Sequence, residues 1–280
     1  MKLRAIILVL LLSAAGPCVL AHEGLHEQIR EVTAAIKSDP RNAGLYFKRG
    51  ELYRLHEEWG RAATDYNRAE RLNPALFLVN LGRGKLFLAA NQPRPALSAL
   101  NRFLAQQPEN REAWLTRARV FAKLKQFRAA VTDYDRVLAN DSEPDIYVER
   151  ARVYAAAGRL SEAVRSLDEG RPKSGPLVSL ELAALNYELR QKLYGDALQR
   201  LERLTAAMPR RETWLARRGA VLAQAKRPCE ARAAFIEALA ALETMPPPRR
   251  NVRANQELEK QIRAGLAQTE KDCWRVSVTR

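Results

Sequence analysis

The side chains with the widest chemical range are the scarcest, three histidines and three cysteines in 280 residues. Two of the histidines fall in His22-Glu23-Gly24-Leu25-His26, the HExxH spacing. On a helix this spacing sets two imidazoles one turn apart to hold zinc, while the glutamate activates a water. A glycine inside the motif, and the lack of any nearby third ligand except His56, argue against a hydrolase. A milder metal chemistry survives that objection. If the chain is cut just before His22, its α-amine and imidazole can chelate Cu²⁺ or Zn²⁺ with His26 as a third nitrogen, and such a nitrogen set suits copper. The competing reading is a solvated terminus, which the sequence favours. No GxGxxG or GxxxxGK[ST] run cradles a phosphate, so nucleotide chemistry has no support.

The position of the histidines depends on the segment before them. Lys2 and Arg4 precede an unbroken apolar run, Ala5 to Leu12, and a small, helix-breaking stretch ends at Val19-Leu20-Ala21. This is the pattern of a secretory leader covering residues 1–21, too short in its apolar part to span a bilayer. Cleavage after Ala21 leaves His22 as the first residue, an arrangement that resembles the histidine brace of some secreted copper proteins. It also removes Cys18. Cys229 and Cys273 then remain as an even pair in an oxidising compartment, where a disulfide is expected.

An apolar fraction of 47% with 28% charged residues describes a folded chain. The formal charge of +15 falls to +13 without Lys2 and Arg4. No basic helix, zinc-finger spacing or aromatic ribbon accompanies it, so nucleic acid is not the expected partner.

The rest of the chain repeats. Pro40, Pro74 and Pro108 are 34 residues apart, and Ser142 takes the next place. Ala62, Ala96, Ala130, Ala163, Ala197 and Ala231 recur at the same interval, once shortened by a residue, each followed four residues later by Tyr, Leu or Phe. A small residue lets a neighbouring helix approach, and the residue one turn later fills the gap beside it. Upstream in each unit, Tyr46-x-x-Arg49-Gly50-x-x-Tyr53, Trp114-x-x-Arg117-Ala118-x-x-Phe121 and Tyr147-x-x-Arg150-Ala151-x-x-Tyr154 set aromatics on one helical stripe. Together these features resemble the tetratricopeptide repeat family over residues 41–242, in about six units. Repeat four begins one residue early, near Pro144. Repeat five has Glu181 in place of the aromatic, and Trp214 in repeat six is one residue out of register.

The resemblance implies an all-α, right-handed superhelical solenoid of helix-turn-helix units with no catalytic activity, its first helices lining a groove for a protein or peptide. Residues 22–40, with Leu25, Ile29, Val32 and Ile36 at helical spacing, are the expected N-terminal capping helix. Residues 243–280 follow as the C-terminal cap and tail. That cap is a helix from about Arg249 to Lys271 with Val252, Leu258, Ile262 and Leu266 on its apolar side, frayed beyond Trp274.

The resemblance also sorts the cations. Arg49, Arg83, Arg117, Arg150 and Arg218 share one first-helix position, with Asp65 and Asp133 sixteen residues after two of them, and internal Arg-carboxylate bonds are expected there. Lys85, Arg119 and Arg152 stand two positions further on, where the family's groove-lining side chains lie, and would favour an acidic peptide. The Lys and Asn clamp of the chaperone-binding subclass is absent, since Phe47, Glu51, Leu81 and Lys85 occupy the corresponding positions. The expectation is an exported, periplasmic, non-catalytic scaffold, with metal handling through His22 and His26 as the alternative.

Overall fold

A computed structural model describes the backbone of residues 17–140, 143–172 and 177–278, and the side chains of 24–140, 143–172 and 177–274. Residues 1–16, Ser142 and the last two residues lie outside that range, as do the side chains of Cys18 and His22. The described chain is helical and without strands, in two compact units divided after Gln126. The first unit holds α1 (Pro17–Ser38), α2 (Ala43–Leu55), α3 (Trp59–Leu72), α4 (Leu78–Ala89), α5 (Pro93–Gln106) and α6 (Arg111–Lys123). The second holds α7 (Phe127–Leu138), α8 (Pro144–Ala156), α9 (Leu160–Glu169), α10 (Val178–Arg190), α11 (Tyr194–Ala207), α12 (Arg211–Gln224), α13 (Pro228–Glu243), the single turn α14 (Pro247–Arg250) and α15 (Arg253–Val278).

The punctuation of these helices is local chemistry. Asn42 and Asn110 cap α2 and α6, their side-chain oxygens accepting from the amides of Gly44 and Ala113 at 3.1 and 2.9 Å. The second helices α3 and α5 stop at Asn73 and Gln107, both non-helical, because the proline that follows disfavours a helical conformation before it. Two aromatics lock onto the prolines that follow α1 and α5. The Tyr46 hydroxyl donates to the Pro40 carbonyl at 3.2 Å, and the Trp114 indole donates to that of Pro108 at 2.7 Å.

Each first helix ends in one residue at positive φ. These residues are Glu57, Asn91, Lys125, Gly158, Lys192 and Lys226, spaced like the alanines. The next amide reaches back five residues, as Gln92 N–H to Phe87 O at 2.7 Å and Gln126 N–H to Phe121 O at 2.9 Å, which is the Schellman closure of a helix C-terminus. Only Asn91 and Gly158 are residue types that announce a left-handed position. The other four are charged residues held there by packing on either side, so this part of the repeat is silent in the sequence.

Packing follows the repeat. Ala62, Ala96, Ala130, Ala163, Ala197 and Ala231 are all fully buried, and Tyr66, Leu100, Tyr134, Leu167, Leu201 and Phe235 are nearly so. In three repeats the facing first-helix position is a glycine, and in repeat five it is the buried Leu185. A Cβ on Gly50, Gly84 or Gly219 would sit 2.7, 2.6 or 2.7 Å from the side chains of Tyr66, Leu100 and Phe235. Trp214 is buried against α11, while Leu215 joins the cluster around Phe235, so the register slip in repeat six divides one aromatic position between two residues.

The two ends are covered. Val32 and Ile36 of α1 are buried against Leu52, with Leu25 and Ile29 partly so. Ile262 of α15 is fully buried beside Phe235, with Leu258 and Leu266 at its edge. Val252 departs from expectation, since it lies in the turn after α14 and is exposed. The helical backbone also continues past Trp274 to Val278 instead of fraying there. The Pro246 to Pro248 run does not merely break the chain. Pro247 and Pro248 open α14, where a missing amide hydrogen costs nothing.

Gly84→Val is expected to destabilise the protein by about 1–3 kcal/mol through overpacking against Leu100. Lys125→Gly should instead raise stability, by up to about 1 kcal/mol, by relieving the left-handed backbone. Urea unfolding of the two variants checks both signs.

Candidate functional site

Within each unit the first helices form a layer on which a ligand-facing surface can be built, since α2 touches α4 and α4 touches α6 in the first, and α8 touches α10 in the second. In the first unit this layer presents Glu51, Lys85 and Arg119 at equivalent positions. Glu51 is engaged inside the fold, accepting from Arg54 at 3.0 and 3.3 Å and from the Tyr66 hydroxyl. Burial works to raise its pKa, but the bonds from Arg54 and Tyr66 and the charge of Lys85 prevail and hold it below the usual carboxylate range. Burial and the same carboxylate push the Tyr66 phenol upward. Lys85 is half-buried and pairs with Glu112 on α6 at 2.6 Å. Arg119 is exposed.

In the second unit Arg152 is exposed and borders a cleft of about 200 Å³ between α8 and α10. Val148, Ala151, Leu167 and Ala183 line the cleft with apolar side chains, Ser179 and Tyr187 add hydroxyl-bearing ones, and Asp145 adds a carboxylate. It has room for one side chain. A larger cleft, of about 920 Å³, opens where α12 and α13 meet the C-terminal helices. Arg210 lies in it, donating to Glu212 at 2.9 Å and to the Asn255 carbonyl at 2.7 Å. Sequence reasoning missed this cleft because it is made by a loop meeting the cap, outside the repeat's own pattern.

Arg49, Arg83, Arg117 and Arg150 make bonds within the fold, as expected. Arg49 forms a fork to Asp65 at 2.7 and 2.8 Å and lies over the rings of Tyr46 and Tyr53 at 5.7 and 5.8 Å. Arg83 bonds Asn67 and Glu70, each at 2.7 Å. Arg117 bonds Asn101 at 2.8 Å beneath Trp114. Arg150 is buried among Ser166, Asp135 and Glu169.

Repeat five inverts this arrangement. Ala184 stands where the arginine belongs, and Glu181 and Glu188 stand where Tyr46 and Tyr53 flank it in repeat one. Arg200, at the position equivalent to Asp65, supplies the cation from the second helix. It donates to Glu181 at 2.5 Å, to Glu188 at 2.7 Å and to Asp168 at 2.9 Å, with Arg171 3.1 Å from Glu181. Arg200, Glu181 and Glu188 are all about 3% exposed. Burial raises the Glu188 pKa despite its bonds to Arg200. Burial also opposes the Asp168 carboxylate, yet bonds from Arg200 and Arg171 hold it below the usual range. Sealed from solvent and partnered throughout, the Glu181 and Glu188 carboxylates have no access to a substrate, and their work is structural.

The expected cysteine pair is bonded, with Cys229 at the start of α13 and Cys273 in α15 at a Cα separation of 4.8 Å. The histidines group differently from the N-terminal chelate, whose His22 side chain lies outside the described residues. His26 meets His56, at the C-terminus of α2, with the two Nε2 atoms 3.2 Å apart. No group of three or more His, Cys, Asp or Glu residues is arranged to hold a metal among the described residues. Nor, within them, is any helix long and apolar enough to cross a membrane.

The tetratricopeptide repeat family model matches residues 29–76, 81–126 and 115–176, together just over half of the chain. The protein belongs to that family. Among solved structures it is similar to PilW, a type IV pilus biogenesis factor, at 22% identity over 67% of this chain and 87% of that one, with a TM-score of 0.57. A tetratricopeptide repeat protein from Parabacteroides merdae is 19% identical, with 87% and 94% covered and a TM-score of 0.54. MamA from Desulfovibrio magneticus is 14% identical, with 54% and 86% covered and a TM-score of 0.50. At these identities the likeness is one of fold. No curated protein matches the chain in sequence.

Replacing Arg200 by Met is expected to destabilise the protein by about 3–5 kcal/mol at pH 7.5, because it leaves buried carboxylates uncompensated. Without the guanidinium their folded pKa values rise above the unfolded value near 4.3. The penalty is then full above the raised values and shrinks as pH falls through them, so the gap to wild type should narrow between pH 7.5 and 5. Adding Ala184→Arg, Glu181→Tyr and Glu188→Tyr to Arg200→Asp rebuilds the arrangement of repeat one and should recover most of the loss. Urea midpoints of these variants at the two pH values decide the matter.

Proposed function

We propose that the protein is an exported, non-catalytic scaffold that binds an acidic segment of a partner protein along its first-helix layer. The observation that carries this reading is the α8–α10 cleft, sized for one side chain and mostly apolar in lining, with the exposed Arg152 and Asp145 as its charged residues. Such a cleft accepts the aliphatic stem of a glutamate while Arg152 meets the carboxylate. Arg119 offers the same charge from the first unit, and Lys85 can exchange its Glu112 partner for a ligand carboxylate. Two features support export to the periplasm. One is the sequence pattern of residues 1–21, and the other is the Cys229–Cys273 bond, which an oxidising compartment preserves.

Selection of random peptides displayed on phage tests the ligand class directly. The wild type should enrich peptides rich in Asp and Glu. Lys85→Glu, Arg119→Glu and Arg152→Glu combined should lose that enrichment with helicity unchanged. The difference between the two proteins should shrink as salt is raised, since screening already weakens the wild-type attraction. Equal enrichment by both proteins would sink the assignment.

A further inference from the structure

The histidine pair between α1 and α2 carries a second chemistry. Its position is set by packing, because Leu25, Ile29, Val32 and Ile36 seat α1 on α2 and bring residue 26 to residue 56 across thirty positions of sequence. The Nε2 atoms are 3.2 Å apart, with ring centroids at 4.4 Å and ring planes tilted by 58°. Two imidazole nitrogens at this separation face each other productively in only two ways. Either one carries a proton and donates it to the other, or both lone pairs point at a cation. Metal to imidazole bonds of about 2.0–2.1 Å would subtend about 100° at an ion seated between them, between the square-planar and tetrahedral angles.

The surroundings favour the second use. His56 Nδ1 is sealed from solvent, so Nε2 is the nitrogen its ring presents to His26. Glu58 Oε1 lies 3.2 Å from Nδ1, within ion-pair distance though not aligned as a hydrogen bond. Glu58 is itself held by Arg61 at 2.8 Å. A carboxylate behind a ligating imidazole is the usual outer partner that orients the ring and raises its basicity, and here a small rotation of the ring completes the contact. A cleft of about 690 Å³ lined by His26, Glu27, Ile29 and Arg30 opens beside His26, so the His26 ring is reached from solvent.

We propose that His26 and His56 form a two-imidazole site for a divalent transition-metal ion, Cu²⁺ ahead of Zn²⁺, with Glu58 positioning the His56 ring from behind. The site does not need the α-amine of His22, and it therefore forms wherever the chain is cut. Its ion fastens the capping helix α1 to the first repeat.

Titration of Cu²⁺ into the full chain, followed calorimetrically in a weakly coordinating buffer, tests the assignment. One ion per chain is expected to depend on both rings, with His26→Ala and His56→Ala each weakening binding at least about tenfold. Glu58→Gln should cost about tenfold, the low end for an outer-sphere partner. His22→Ala should change affinity less than about twofold. Saturating Cu²⁺ should also raise the wild-type unfolding midpoint, because it binds the folded state alone, and His56→Ala should abolish that rise while keeping wild-type helicity. The proposal is overturned if the variant lacking both His26 and His56 binds an ion as tightly as wild type. It is equally overturned if His22→Ala removes binding while His56→Ala does not.

Discussion

The close approach of two helices at a fully buried alanine is the constraint from which the rest of this structure follows. At each of the six positions from Ala62 to Ala231 the second helix carries no side chain beyond Cβ, and the residue one turn later fills the space beside it. In three repeats a glycine on the first helix, Gly50, Gly84 or Gly219, completes the contact, while in repeat five Leu185 takes that position in the cluster with Ala197 and Leu201. Once the two helices are that close, the loop between them has little freedom. One residue must turn left-handed, and the Schellman bonds absorb the carbonyls left over at the helix end. The recurrence of the turn at the alanine spacing, whatever residue occupies it, shows that packing dictates its conformation.

The same geometry explains why buried charge is tolerated and why it can be reversed. These helix pairs create a space among three first-helix positions spanning two turns and one facing second-helix position. Repeat one fills it with Tyr46, Arg49, Tyr53 and Asp65, so the cation stands on the first helix between aromatic faces. Repeat five fills it with Glu181, Ala184, Glu188 and Arg200, placing the cation on the other side. What the space requires is a guanidinium with enough acceptors for its forked donors, and either helix can provide it. No intermediate state between the two solutions is equally good. A single exchange leaves either two cations or an uncompensated set of carboxylates in a site with almost no water, which binds the four residues to one another.

How much of this was legible depends on whether a residue type has one use or several. Alanine at a fixed spacing, proline after a second helix and aromatics at intervals of three and four have few uses besides helix packing and termination, so the fold class, the repeats and both caps could be read directly. The disulfide was legible because only two cysteines stand beyond residue 21. Glu181 looked like a defect, since its partner Arg200 is nineteen residues away on a different helix and no local pattern links them. Lys125, Lys192 and Lys226 gave no sign of their left-handed backbone, because lysine is chosen there for its exposed side chain. His26 and His56 are too far apart in sequence for spacing to relate them, and only the docking of α1 makes them neighbours.

The charge balance was the least readable quantity of all. A chain with an excess of +15 invites a search for a large polyanion, but charge counted along a sequence does not separate internal cations from those presented outward. Arg49, Arg83, Arg150 and Arg200 are committed to partners inside the fold, and Lys85 already faces Glu112. The exposed cations at the ninth position of a repeat, Arg119 in the first unit and Arg152 in the second, are a different set from these, and only the fold separates the two.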